Sequence, residues 1–252
     1  ILKEEEFDYE IIKISEFEEW KKLTKSINKT NILQDWHYGE SQKATRGVVV
    51  SRFLIKTKKE NKALVQLLTI NKFFINLYFI NRGPIFFDRI SEKESLKIIK
   101  FLFSKYHKFS KLKLLRFNPN LEINSNNVFI NQNKKLIFFK EPFWQSSLID
   151  LNNEISIIRE NFTGSIKNDL NFFNKKKNEV GINVYENLKN PIPENKLNHI
   201  KNLYLADQKK KNFTGINLKL IENIINRANY KIYEVFHQET RKNYCCCTFY
   251  YT

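Results

Sequence analysis

Methionine is absent from the 252 residues, and glycine, proline and cysteine are scarce, with six, five and three copies. None of the glycines falls in G-x-G-x-x-G or G-x-x-x-x-G-K-[ST], so the signals for a dinucleotide-binding turn and for a P-loop are both missing. The cysteines form a single run, Cys245, Cys246 and Cys247. Neighbours along a strand point to opposite faces, so this run builds neither a disulfide framework nor a metal-ligand spacing, and it reads as small strand residues. The four histidines, His37, His107, His199 and His237, show no H-E-x-x-H spacing, and no metal is expected. Nowhere does an apolar run approach the length that crosses a bilayer as a helix; the longest, 73–80, is interrupted by Asn76. The acidic start ILKEEEFDYE has neither the basic nor the apolar region of a signal peptide, which points to the cytoplasm. With no initiator methionine, and with an end at Phe249-Tyr250-Tyr251-Thr252 inside a strand-like run, the chain reads as a fragment whose C-terminal part is missing.

What is present is a globular composition, 42% hydrophobic and 14% aromatic in 30.3 kDa, enough for one large or two small domains. The net charge of +16 and pI near 9.6 fit either a generally basic surface or a polyanionic partner such as tRNA or a nucleotide-linked substrate. Only eight of the 43 basic residues are arginine, the side chain suited to bidentate phosphate contacts, and this weakens the second alternative.

Spacings of three and four among Phe17, Trp20, Leu23 and Ile27 predict a helix capped by Ser15. A second helix, opened by Thr30 or Asn31 and ended by Gly47, carries Leu33, Trp36, Tyr38 and Ala44. Three β-rich runs, 48–55, 63–70 and 73–87, are joined by short links and predict an antiparallel meander. A helix from Ser91 and a strand over 112–117 follow, then an Asn-rich stretch, 118–133, and strands at 136–139 and 145–151. The second half repeats the theme with a helix over 156–177, a strand over 182–185, helices within 193–229, and strands at 230–236 and 244–251. The order is mixed α/β with a mainly antiparallel sheet, and not doubly wound. Asn-Phe-Thr-Gly occurs at Asn161 and again at Asn212, in each case as a candidate helix entry.

Four segments carry a signal beyond the elements. In Leu33-Gln34-Asp35-Trp36-His37-Tyr38-Gly39-Glu40-Ser41-Gln42-Lys43 a helix places Asp35, Gly39 and Lys43 four apart, with Trp36 seven before Lys43. An aromatic wall and a cation can then meet in one groove; the alternative is Trp36 in the core and a solvated Lys43. In Ile80-Asn81-Arg82-Gly83-Pro84 the glycine permits close backbone approach and the proline stiffens the turn, leaving Arg82 for a substrate or for a carboxylate of its own chain. The third segment is Pro142-Phe143-Trp144-Gln145-Ser146-Ser147-Leu148-Ile149-Asp150-Leu151, where Asp150 either caps or ends a strand or is a candidate for acid–base chemistry. The fourth runs from Asn161 to Lys177 and on to Val180-Gly181-Ile182-Asn183-Val184.

Together these segments, spread over 33–184, resemble the FemAB-like branch of the GNAT acyltransferase superfamily. The resemblance implies an α/β (α+β) chain of two tandem GNAT-like domains, 1–147 and 148–252, with mainly antiparallel mixed sheets flanked by helices and the second domain incomplete. It implies transfer of an acyl or aminoacyl group from acyl-CoA or aminoacyl-tRNA to an amine, in some members that of a peptidoglycan precursor. Donor and acceptor are substrates, and no covalently bound cofactor is implied. An anionic amine acceptor, nucleotide-linked or lipid-linked, would lie in a groove between the domains lined by Trp36, Tyr38, Lys43, Arg82 and Lys167. The family shows an aromatic followed by arginine where this chain has Ile166-Lys167, so anchoring there rests on a point charge instead of a planar fork. No catalytic residue is legible, as transfer by positioning alone allows, and the glycine-bearing donor loop falls outside the chain. The alternatives are a basic, non-catalytic RNA-binding protein and a degenerate structural relative.

Overall fold

Residues 8–28, 30–73, 75–88, 90–106, 112–118, 152–187, 189–240 and 243–251 are described by a computed structural model. The expected strands at 136–139 and 145–151, and Asp150 with them, lie outside the described residues. The chain divides into two compact units. The first holds the described residues of 8–118 together with Leu205–Asn229, and the second holds those of 152–204 together with Tyr230–Tyr251.

In the first unit the apolar alternation builds a sheet with the strand order β1-β2-β3-β4-β6 and with β5 paired to β3. Its strands are β1 (Glu10–Ile14), β2 (Val49–Lys56), β3 (Asn61–Lys72), β4 (Ile75–Asn81), β5 (Ile85–Phe86) and β6 (Leu112–Asn118). The β1 to β4 meander is antiparallel. β6 runs parallel to β4, because the intervening helix α3 (Glu92–Tyr106) carries the chain back to the start of the sheet. β3 is central and buried on both faces, which is why its sequence is almost continuously apolar. Ala63, Val65 and Leu67 pack with Ile98, Phe101 and Leu102 of α3, while Leu64 joins Ile14, Trp20, Ile27 and Ile85 on the other side.

Three helix starts, at Trp36, Glu92 and Leu218, follow local capping chemistry. At α3 the Ser91 hydroxyl accepts from the Glu94 backbone N–H at 3.2 Å, the expected start. α1 (Phe17–Thr24) begins after Glu16 with no side-chain cap, one residue later than Ser15 implied, and Ile27 packs into the core from the turn beyond it. The second expected helix is split. Asn31 caps a 3-10 turn, Ile32–Gln34, and Asp35 then caps α2 (Trp36–Arg46), its carboxylate accepting from the backbone N–H groups of His37 at 2.8 Å and Tyr38 at 3.3 Å. Two strong caps four residues apart cannot both lie inside one helix, since each holds an extended backbone. Gly47 ends α2 in the left-handed region, at φ 64°. The run at 73–87 likewise divides at Arg82-Gly83-Pro84 into β4 and β5. β1, an edge strand with only Ile14 buried, has too little apolar alternation to show in the sequence.

In the second unit β7 (Val180–Glu186), β8 (Asn229–His237) and β9 (Asn243–Tyr251) form one sheet in that order, and β9 contains the cysteine run. The helix expected over 156–177 is two, α4 (Ile155–Glu160) and α5 (Gly164–Lys176), broken at Asn-Phe-Thr, and α6 (Glu194–Lys211) follows β7. The second Asn-Phe-Thr-Gly lies before α7 (Leu218–Arg227), which Asn217 caps. Amphipathic α7 packs along α2 within the first unit, where Asn223 Nδ2 donates to Thr45 Oγ1 at 3.2 Å.

Glu234, on β8, is a buried charge of the second sheet, 2% exposed. Burial by itself would raise its pKa, but Lys196 Nζ at 2.7 Å, Asn183 Nδ2 at 2.9 Å and Tyr185 Oη at 2.8 Å all donate to it and hold the pKa at about 2. A depressed carboxylate stabilises the fold fully above its unfolded value near 4.5, and this stability disappears as pH falls toward about 2. Urea unfolding should therefore lose roughly 3 kcal/mol across that window, and Glu234→Gln should flatten the slope. Equal acid slopes in the two proteins would count against the assignment.

Candidate functional site

The site is built from a polar interruption in an apolar strand. Gln66 lies between Leu64 and Leu68 on the side of β3 that faces α2, and is 1% exposed. Its register partner on β2 is Arg52, 5% exposed. Arg52 Nε donates to Gln66 Oε1 at 2.8 Å, Nη1 to Glu40 Oε1 at 3.0 Å, and Nη2 to the Trp36 carbonyl at 2.9 Å. Gln66 Nε2 in turn donates to the Asp35 carbonyl at 2.8 Å. Buried polar groups must find partners, and here the strand side chains find them in the first turn of α2, locking it to the sheet.

Gln34, 1% exposed, ties the preceding 3-10 turn to the sheet. Its amide accepts from the Gln66 backbone N–H at 2.7 Å and donates to the carbonyls of Asn81 at 2.8 Å and Gln66 at 3.2 Å. Two glycines make room for this network. A Cβ on Gly39 would lie 2.2 Å from Gln66 Oε1 and 2.6 Å from Arg52 Nη2, and one on Gly83 would lie 2.5 Å from the Gln34 side chain. The close approach expected of Gly83 is thus made to Gln34.

Above the network the Arg52 guanidinium carbon lies 3.6 Å from the centre of the Trp36 ring, a cation–π contact. Burial lowers the Arg52 pKa, while Glu40 and Asp35 oppose that shift, and the guanidinium stays charged. Phe17 completes the aromatic cluster, 5.7 Å from the Trp36 ring and 5.0 Å from that of His37. Burial, reinforced by the charges of Arg52, Lys21 and Arg227, lowers the His37 pKa against the pull of Asp35.

The residues singled out from the sequence fall as follows. Trp36 is half-buried in the core edge, under Arg52. Tyr38 is half-buried and its hydroxyl accepts from Gln42 Nε2 at 2.7 Å; burial raises its pKa, and Gln42 and Arg46 oppose the rise. Lys43 is exposed on α2. Arg82 is half-buried, with φ at 46° in the turn after β4. These four belong to the first unit, whereas Lys167 belongs to the second, exposed on α5 with Nζ donating to the Glu160 carbonyl at 3.0 Å. Gln34, Glu40, Arg52 and Gln66 were not foreseen. A glutamine inside the run Ala63 to Ile70, and an arginine at the same depth of the neighbouring strand, were the legible signals. Among the described residues no group of three His, Cys, Asp or Glu side chains is placed to hold a metal ion.

No protein-family model and no curated protein sequence matches the chain. Solved structures do. The crystal structure of FemX superposes with a TM-score of 0.63 at 18% identity, over 90% of this chain, and the chain spans 57% of FemX. A possible acetyltransferase from Clostridium difficile 630 matches over 56% of this chain and 99% of its own, at 8% identity and a TM-score of only 0.33. The superposition with FemX, and the mixed, mainly antiparallel sheet flanked by helices, show that this chain has a fold like that of FemX.

Proposed function

We propose that the protein transfers an acyl or aminoacyl group from an activated donor, acyl-CoA or aminoacyl-tRNA, to an amine on an anionic acceptor. The observation that carries this reading is the rigid mounting of α2. The segment that resembles the FemAB signature spends Gln34, Asp35, Gly39 and Glu40 on a buried network and presents Lys43 to solvent on a helix tied to the sheet by hydrogen bonds. A mounting of this kind is what positional catalysis requires, because transfer to a neutral amine gains most from fixed geometry and from donors aimed at the developing oxyanion. The FemX fold supports the reaction class, and the net charge of +16 supports an anionic partner on either the donor or the acceptor side. In this reading Trp36 backs the helix, Tyr38 and Arg82 lie beside the acceptor, and Lys43 supplies charge.

The test is calorimetric titration of a nucleotide-linked peptide acceptor, together with assays offering acyl-CoA or aminoacyl-tRNA as donor. A charge-assisted contact is worth about 1.5 to 3 kcal/mol, so Lys43→Ala should weaken acceptor binding roughly ten- to a hundredfold. Lys43→Arg should be partly tolerated, since it keeps the charge. Unchanged affinity in a folded Lys43→Ala protein would remove Lys43 from the site. RNA binding without turnover on either donor would favour the non-catalytic reading.

A further inference from the structure

The hairpin joining β3 to β4 turns at Phe73, which is 98% exposed and holds φ at 47°. A bulky side chain is strained in this left-handed region, where glycine or asparagine sits at little cost. Phe73 therefore serves neither the turn geometry nor the core. It also has apolar company. Ile75, opposite Lys72 in the register, is 36% exposed, and Val49, opposite Thr69, is 51% exposed. Thr69 and Lys72 are three apart on β3, so the alternation of the strand puts Val49 and Ile75 on opposite faces of the sheet. The end of the sheet is a wedge with an aromatic apex and an apolar shoulder on each side. Exposed Lys72 adjoins the apex, and exposed Arg46 lies just beyond Val49 across the Gly47 turn.

We propose that this wedge, Phe73 with Val49, Ile75, Lys72 and Arg46, anchors the protein to an anionic lipid surface. A protein partner needs a broad face, on the order of 800 Å² from each side in an ordinary interface. Among the described residues, an apex with shoulders on both faces offers nothing of that kind. A fluid interface closes around a wedge, takes an aromatic ring at the depth of the headgroups, and supplies anionic headgroups to the flanking cations. The inference stands on observations separate from the transfer reading, and either can fail without the other.

The experiment is co-sedimentation of the full chain with vesicles of phosphatidylcholine alone or mixed with phosphatidylglycerol. The protein should pellet with the mixed vesicles and stay in solution with the neutral ones. Phe73→Asn, which the left-handed backbone accepts, should leave the circular dichroism unchanged and weaken partitioning about tenfold or more, the value of one large apolar side chain. Phe73→Trp should keep the binding and add a blue-shifted emission when anionic vesicles are present. Anionic binding that survives Phe73→Asn undiminished would assign it to the general basicity of the chain and overturn the proposal. So would equal partitioning onto neutral vesicles, or a self-association that Phe73→Asn abolishes.

Discussion

Replacing Arg52 with methionine should destabilise the first unit by about 3 kcal/mol or more, among the largest losses available to a single side chain here. The aliphatic stem is kept, so the loss falls on the polar contacts. Glu40 would lose the guanidinium 3.0 Å away, Gln66 Oε1 its donor at 2.8 Å, and the Trp36 carbonyl its donor at 2.9 Å. Leaving buried acceptors without donors costs more than the net value of the bonds themselves. Arg52→Lys should recover only part of the loss, since an ammonium can meet Glu40 but cannot span three acceptors in one plane. Urea denaturation followed by tryptophan fluorescence measures this directly, with Trp20 and Trp36 as reporters in the same unit. A loss below about 1 kcal/mol in Arg52→Met would mean that water replaces the guanidinium and that α2 is not held as described.

Gly39→Ala should cost about 1 to 2 kcal/mol net, although alanine is the better helix former by about 1 kcal/mol. The added methyl has no room, with Gln66 Oε1 at 2.2 Å and Arg52 Nη2 at 2.6 Å from its ideal position. These atoms are ends of side chains, but of side chains fixed at both flanks by hydrogen bonds, and they cannot retreat without breaking them. The expected outcome is a lower melting temperature and, in the transfer reading, a fall in activity through displacement of α2. Combining Gly39→Ala with Gln66→Ala should cost clearly less than the sum of the single changes, because the truncated strand side chain makes room for the methyl. Strict additivity would show that the two positions do not meet.

Much of the first unit was legible because its elements are long and periodic. The meander from β2 to β4, the helix opened by Ser91, and the stop at Gly47 each rest on a signal carried by neighbouring residues: alternation, a capping serine, a glycine free to take a positive φ. The splits at Asp35, at Arg82-Gly83-Pro84 and at Asn161-Phe162-Thr163 were harder, since the apolar pattern runs across each of them and only the cap or turn residue marks the break. Of the candidate residues, Trp36 and Lys43 stood out by their helical spacing, while Tyr38, Arg82 and Lys167 were singled out through the resemblance to the FemAB-like branch. What Gln34, Glu40, Arg52 and Gln66 do was not legible, because their partners lie up to 47 residues away, as with Gln34 and the Asn81 carbonyl.

By itself the sequence determined the class of fold, the positions of most elements and the chemistry on offer: a lysine-rich chain with an aromatic, cation-bearing helix and no nucleotide-binding glycine motif. Periodicity and capping are local, and a single chain displays them without reference to anything distant. The tertiary structure alone decided which polar residues are buried together, that β6 joins β4 in parallel, and that α7, from the latter part of the chain, packs along α2 beside Thr45. Those pairings are set by which faces meet once the sheet has formed. Burial then turns an ordinary glutamine and arginine into the fixed points on which the candidate site is mounted.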